Sequence, residues 1–139
     1  TITPASGSVG PAAAIVIGLT AGVVCFIATH WIKRGLKIDD SLDVFPVHGV
    51  GGILGTLLAG IFASSSLGVF SGQGYAEGMN MISQMTVQII GVVSTFVYTL
   101  VVSYVLLKVI DKFVKLRLDA EEETEGLDIV SHDERGYDF

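Results

Sequence analysis

The sequence predicts an all-α polytopic membrane protein, because its charges are too few and too unevenly distributed for a soluble domain. Of its 139 residues, 50% are hydrophobic and 16% are charged, whereas soluble domains carry about 25% charged residues. Three windows, 1–32, 44–76 and 78–107, contain no Asp, Glu, Lys or Arg. Each window exceeds the roughly 20 residues that a helix needs to cross a hydrocarbon core of ~30 Å. We therefore predict three transmembrane helices.

The predicted helices lie at about 9–32, 44–63 and 78–112, so that residues 1–112 form a membrane segment and 113–139 an acidic tail. The tail holds nine of the fourteen acidic residues, and the net charge of −6 therefore belongs mainly to it. A nucleic-acid partner is not expected, because the chain has no basic patch to neutralise phosphates.

The first predicted helix has the features of a membrane span. Pro11 suits the first turn, where a missing amide donor costs nothing. Gly18 and Gly22 are four residues apart and form a small-residue face for close helix packing. Trp31 precedes the first basic residue, Lys33, which is typical of an interfacial aromatic.

The basic residues predict the orientation in an inner (plasma) membrane. The loop between the first two helices holds three basic residues, but the connection between the second and third helices has none. Four more lie in the last turns of the third helix and just beyond it, namely Lys108, Lys112, Lys115 and Arg117. Because basic residues are retained on the cytoplasmic side, we expect the first loop and the C-terminus to be cytoplasmic and Thr1 to be outside.

The second helix carries one ionisable side chain near its start, His48. Asp43 is the predicted N-cap, because its carboxylate can accept from the free amides of the first turn. Val44 and His48 are four residues apart and share one face. Gly51 and Gly55 form a second close-packing pair.

Three interpretations of His48 are open. It is a structural histidine held by a partner within the core, a metal ligand, or a group that lines a conduction path. A metal site is poorly supported, because no further ligand lies three or four residues away. An ionisable group in a membrane span is costly and usually functional, and a neutral imidazole both donates and accepts hydrogen bonds. The conduction interpretation fits best.

The third helix and the tail complete the chain. Gln84 and Gln88 share one face of the third helix and are interpreted as hydrogen-bonding to neighbouring helices rather than as lining a pore. The tail begins with a solvated acidic run at 119–125. Apolar residues reappear briefly after this run. We therefore predict that a segment docks on the cytoplasmic face, and this segment comprises Gly126, Leu127, Asp128 and Ile129.

Three stretches resemble the ammonium transporter (Amt/Mep/Rh) family. Residues 39–55, which read DDSLDVFPVHGVGGILG, resemble the tenth membrane helix of that family and its preceding loop. Residues 3–7, TPASG, are similar to the entry into the ninth helix, and residues 125–128, EGLD, are similar to the cytoplasmic tail of bacterial and archaeal members. The resemblance covers almost the whole chain. It implies helices nine to eleven of an eleven-helix subunit, plus the tail.

The resemblance also implies a function and partners. Family members are homotrimers in which each subunit conducts ammonium or ammonia through a pore with two hydrogen-bonded histidines. His48 matches the second histidine, and Val44 matches an apolar pore-lining position. In the family a PII-type signalling protein binds the cytoplasmic face, where Asp39, Asp40 and Asp43 are candidate contacts. The chain is interpreted as a piece of a longer protein and is not expected to conduct alone, because the first histidine belongs to an earlier helix.

The alternative from another class is a small three-helix membrane module that serves interaction or assembly without transport. An enzyme is not expected, because the sequence shows no paired carboxylates within the membrane and no nucleophile–base set. Cys25 is the single cysteine, which excludes a disulfide framework and a cysteine-based metal site. No cofactor is expected.

Overall fold

The computed structural model describes Thr1 and residues 3–137, and all regular secondary structure in these residues is helical. Helix α1 spans Pro11–His30 and continues through a π-helical turn at Trp31–Gly35. Helix α2 follows a π-helical turn at Phe45–Val50 and spans Gly51–Phe62. The remaining helices are α3 at Met81–Asp111, α4 at Ala120–Glu125 and α5 at Leu127–His132.

Three helical segments, Pro11–Gly35, Phe45–Phe62 and Met81–Asp111, are long and apolar enough to cross a membrane. The predicted all-α membrane class is therefore confirmed. The third segment begins at Met81 rather than near residue 78, because Asn80 and Ser83 form a reciprocal cap there. The Ser83 amide donates to Asn80 Oδ1 at 2.9 Å, and the Asn80 amide donates to Ser83 Oγ at 2.8 Å.

The chain divides into two compact units, and the second begins at Val97. The division therefore falls within α3. In the first unit, Ala5, Ile17 and Ala59 form the buried centre between the N-terminal segment, α1 and α2.

The predicted close packing at Gly51 and Gly55 is confirmed, since both are buried against other parts of the chain. A Cβ atom at Gly51 would lie 2.6 Å from Thr1 Oγ1 and 3.1 Å from Cys25 Sγ of α1. The other predicted pair, Gly18 and Gly22, has no described atom near the position of a Cβ. That face of α1 is open within the described residues.

The loop between α2 and α3 is fastened to its surroundings by hydrogen bonds. The Gln73 amide donates to the Ser8 carbonyl at 3.0 Å, which ties the loop to the N-terminal segment. The Tyr75 hydroxyl donates to the Gly60 carbonyl at 2.7 Å, near the end of α2. These bonds fix the C-terminal end of α2.

In the second unit, most of the acidic run forms α4, and its residues are largely exposed. Asp119 and Glu122 make a capping box, in which the Asp119 amide donates to Glu122 Oε2 at 2.9 Å. Such reciprocal caps satisfy amides that the helix itself leaves free. Gly126, with φ of 108°, separates α4 from α5. Residues 138 and 139 of the predicted tail lie outside the described residues.

Candidate functional site

His48 lies in the π-helical turn Phe45–Val50 at the start of the second span. Its side chain is exposed, and so are those of Val44 (53%) and Val47 (43%). Pro46, on the same turn, is fully buried. The turn therefore packs one face against the chain and leaves the face with His48 and Val44 open.

The Asp40 carboxylate caps this turn. The amide of Val44 donates to Asp40 Oδ1 at 2.9 Å and the amide of Phe45 donates to Oδ2 at 2.8 Å. The first amides of a helix have no acceptor within the helix, and hydrogen bonds to a carboxylate are stronger than those to a neutral group. The sequence predicted Asp43 as the cap, whereas in the structure the carboxylate that accepts these amides belongs to Asp40, three residues earlier.

Asp43 has a different role because its backbone is left-handed, with φ of 55°. Its carbonyl accepts the first regular helical bond, from the Val47 amide at 3.1 Å. Its Oδ1 lies 2.7 Å from Lys33 Nζ, an ion pair by distance whose angles do not make it a hydrogen bond. This pair joins the π-helical turn that ends α1 to the turn that carries His48.

The Lys33–Asp43 pair contributes little to stability by itself. The two side chains are 37% and 34% exposed, and ion pairs in contact with solvent are worth about 0–1 kcal/mol. Sequence reasoning missed this contact, since nothing in the spacing of the two residues indicates it. The signal for the Asp40 cap was present as a carboxylate four residues before Val44, but Asp43 is the closer and more usual choice.

The other predicted site residues are more exposed. Asp39 is exposed, and within the described part of the chain it has no hydrogen bond or ion pair. In the second unit, Leu127 is 57% exposed and Ile129 is partly buried. The Asp128 carbonyl accepts the Glu134 amide at 2.9 Å, which closes the end of α5.

The chemistry that these residues offer is hydrogen bonding and charge. Among Thr1 and residues 3–137, no three His, Cys, Asp or Glu side chains are grouped so that they could hold a metal ion. His48 supplies an imidazole at the open face of an apolar helix. The carboxylates of Asp40 and Asp43 lie at the helix end that precedes it and are both engaged with the chain itself.

Three membrane-length helices with a histidine on the open face of one define a multi-spanning membrane protein. The sequence model of the Ammonium Transporter Family matches residues 1–137. The chain belongs to the ammonium transporter family, a family of transporters and not of enzymes.

Individual relatives agree with this assignment. The chain is 47% identical over 137 residues to a putative ammonium transporter of Methanothermobacter thermautotrophicus. It is 41% identical over 137 residues to the ammonium transporter Amt1 of Archaeoglobus fulgidus and 38% identical over 136 residues to an ammonium transporter of Bacillus subtilis. Each alignment covers 98% of this chain but only 33–34% of the relative. The chain thus spans about a third of the length of these relatives.

Proposed function

We propose that this chain forms one wall of the conduction path of an ammonium transporter, as its C-terminal third, helices nine to eleven with the tail. The supporting observation is that the π-helical turn before α2 has one buried face and one exposed face. Pro46 is fully buried on one side, whereas His48 and Val44 are exposed on the other. An exposed imidazole beside apolar side chains is suited to a lumen whose opposite wall comes from the rest of the subunit.

The chemistry follows from the cost of moving charge through an apolar lumen. An ammonium ion without water or a counterion is strongly disfavoured there, so ammonia is the species that passes His48 and the proton is handled separately. A neutral imidazole accepts a hydrogen bond at one nitrogen and donates at the other. His48, paired with the first histidine of the pore, which an earlier helix supplies, replaces part of the hydration that ammonia loses.

The same proposal assigns orientation and partners. The loop 36–43 and the tail face the cytoplasm, in keeping with the basic residues around them, and Thr1 is outside. The complete subunit forms a homotrimer. A PII-type protein binds the cytoplasmic face near Asp39, Asp40 and Asp43, and the segment from Gly126 to Ile129 docks on that face.

The proposal is tested with a chimera. Residues 1–137 replace the matching third of the Methanothermobacter protein, and ammonium flux is measured in liposomes that contain the purified chimera. We expect flux comparable to that of the parent, because the segment supplies the missing wall of each pore. The 139-residue chain alone, incorporated at equal mass, is the control and should give no flux above empty vesicles. A folded chimera without flux, or flux through the isolated chain, would contradict the proposal.

The regulatory part is tested on the same chimera carried through to residue 139. Deletion of residues 126–139 is expected to abolish binding of a PII-type protein, since it removes the proposed docking segment. Binding is measured by surface plasmon resonance on trimers purified by size exclusion. The control is Arg135→Ala, which retains the segment. Equal affinity with and without residues 126–139 would exclude a role for the tail in this contact.

A further inference from the structure

The Asp40 carboxylate accepts hydrogen bonds from two of the three backbone amides that precede His48 between residues 44 and 47. The amides of Val44 and Phe45 both donate to the Asp40 carboxylate, at 2.9 and 2.8 Å. Pro46 has no amide hydrogen, and the Val47 amide donates to the Asp43 carbonyl at 3.1 Å. Each of these three amides therefore has an acceptor.

From Phe45 to Val50 the turn is π-helical and not α-helical. The Asp40 cap therefore bears on the geometry of this turn as well as on its hydrogen bonding. A π-helical turn bonds residues five apart and is rare, and such turns often occur at functional sites. Its persistence needs constraints at both ends. Pro46, fully buried, and Gly51, packed against Cys25, hold one face of the turn. Only Asp40 holds the two amides that precede the proline.

If these two amides lost their acceptors, the start of the helix would fray or rewind into regular α-helical bonding. Either change rotates His48 about the helix axis relative to the packed face of Pro46, because successive side chains are set by the helical repeat. The direction of the imidazole is thus linked to a carboxylate eight residues earlier in the chain, which need not touch it.

The geometry points to Asp40 as a positioning residue for His48. Its carboxylate fixes the π-helical turn through two amides, and the turn fixes the imidazole. The claim that Asp40 fixes the turn depends only on these two hydrogen bonds. Its consequence for transport rests on the proposed function, and the experiment below separates the two.

The test uses the transporter chimera labelled with 15N-histidine and reconstituted in liposomes, with the His48 resonance assigned from the spectrum of His48→Ala. Asp40→Ala removes both acceptors and should shift the imidazole 15N resonances of His48. Asp40→Asn retains one acceptor oxygen and should give a smaller shift in the same direction. Asp39→Asn, which removes the same charge one residue earlier, is the matched control and should leave the resonances in place.

Flux per folded trimer is measured on the same samples. We expect Asp40→Ala to reduce it by about two- to tenfold, and by no more than His48→Ala, since a misdirected imidazole loses at most its hydrogen bond to the passing molecule. The loss in Asp40→Asn should be smaller, and Ser41→Ala should retain full flux. If Asp40→Ala does not fold, the His48 resonances and the flux of Asp40→Asn are compared with those of the wild type instead, and this comparison tests the inference.

Unchanged His48 resonances in folded Asp40 variants, with only a lower unfolding midpoint, would show that Asp40 is merely a helix cap and would overturn the inference. Shifted resonances with undiminished flux would instead leave the positioning intact and contradict the pore role of His48. The two failures are therefore distinguishable.

Discussion

At the scale of single residues, the packing of this chain depends on positions where a side chain would not fit. A Cβ atom at Gly72 would overlap the carbonyl oxygens of Ser8 and Phe62, which are backbone atoms and cannot move independently. At Gly60 the nearest atoms are Gln88 Oε1 and Met85 Sδ, at the ends of flexible side chains. The same glycine-to-alanine change is therefore predicted to have different costs at different sites.

Gly72→Ala is predicted to lower the free energy of unfolding by about 1–3 kcal/mol, the usual cost of forcing extra volume into a packed site. Gly91→Ala is the control. No described atom lies within 4 Å of a Cβ there, and alanine is the better helix former by up to ~1 kcal/mol. The measurement is denaturant unfolding of the 139-residue chain in micelles, followed by circular dichroism. Equal stability of the two variants would contradict this account.

At the scale of elements, the sequence predicts the existence of the spans better than their ends. Three uncharged windows identify α1, α2 and α3 because the cost of charge in a membrane dominates every local preference. The π-helical turns at Trp31–Gly35 and Phe45–Val50 were not predictable. The second of these turns is packed through Pro46, which is fully buried, and is followed by Gly51, which lies against Cys25, and no periodicity in the sequence encodes such tertiary contacts. The position of His48 near the start of the second span was predicted, but the cap was assigned to Asp43 because it is the carboxylate nearer to the helix, whereas Asp40 accepts the first amides.

The segment before α4 offers a pH-dependent test outside the membrane. Lys115 Nζ donates a hydrogen bond to Asp119 at 2.7 Å, and this bond raises the pKa of Lys115 above its ordinary value of 10.5. The protonated lysine is therefore favoured in the folded tail. The stabilisation is fully present below pH 10.5 and is lost as the pH rises through the raised pKa.

Asp119→Asn is predicted to return the pKa of Lys115 towards 10.5. Asparagine still caps a helix well, so α4 should be retained while the charge is lost. The measurement is a 15N NMR titration of the Lys115 ammonium group, with circular dichroism as the check on helicity. The control is Glu134→Gln, which removes a carboxylate from another part of the tail. Identical titrations of the wild type and Asp119→Asn would refute the assigned cause.

At the scale of the whole molecule, much apolar surface remains without a partner in the chain. Helix α3 has 31 residues, and none of them is buried. The chain matches about a third of its relatives' length, and in our proposal the other helices of a complete subunit cover such faces. The open face with His48 belongs to the same pattern. In our proposal it is one half of a pore, completed by helices that these 139 residues do not contain.

The most direct test of the central claim is the ammonium flux of the chimera with His48→Ala. We predict a loss of about tenfold, because a neutral hydrogen bond from the imidazole to the passing molecule is worth about 0.5–1.5 kcal/mol, while the trimer stays assembled. The matched control is His30→Ala at the end of α1, which should retain full flux. Wild-type flux in His48→Ala, or equal losses in both variants, would contradict the claim that His48 lines the conduction path.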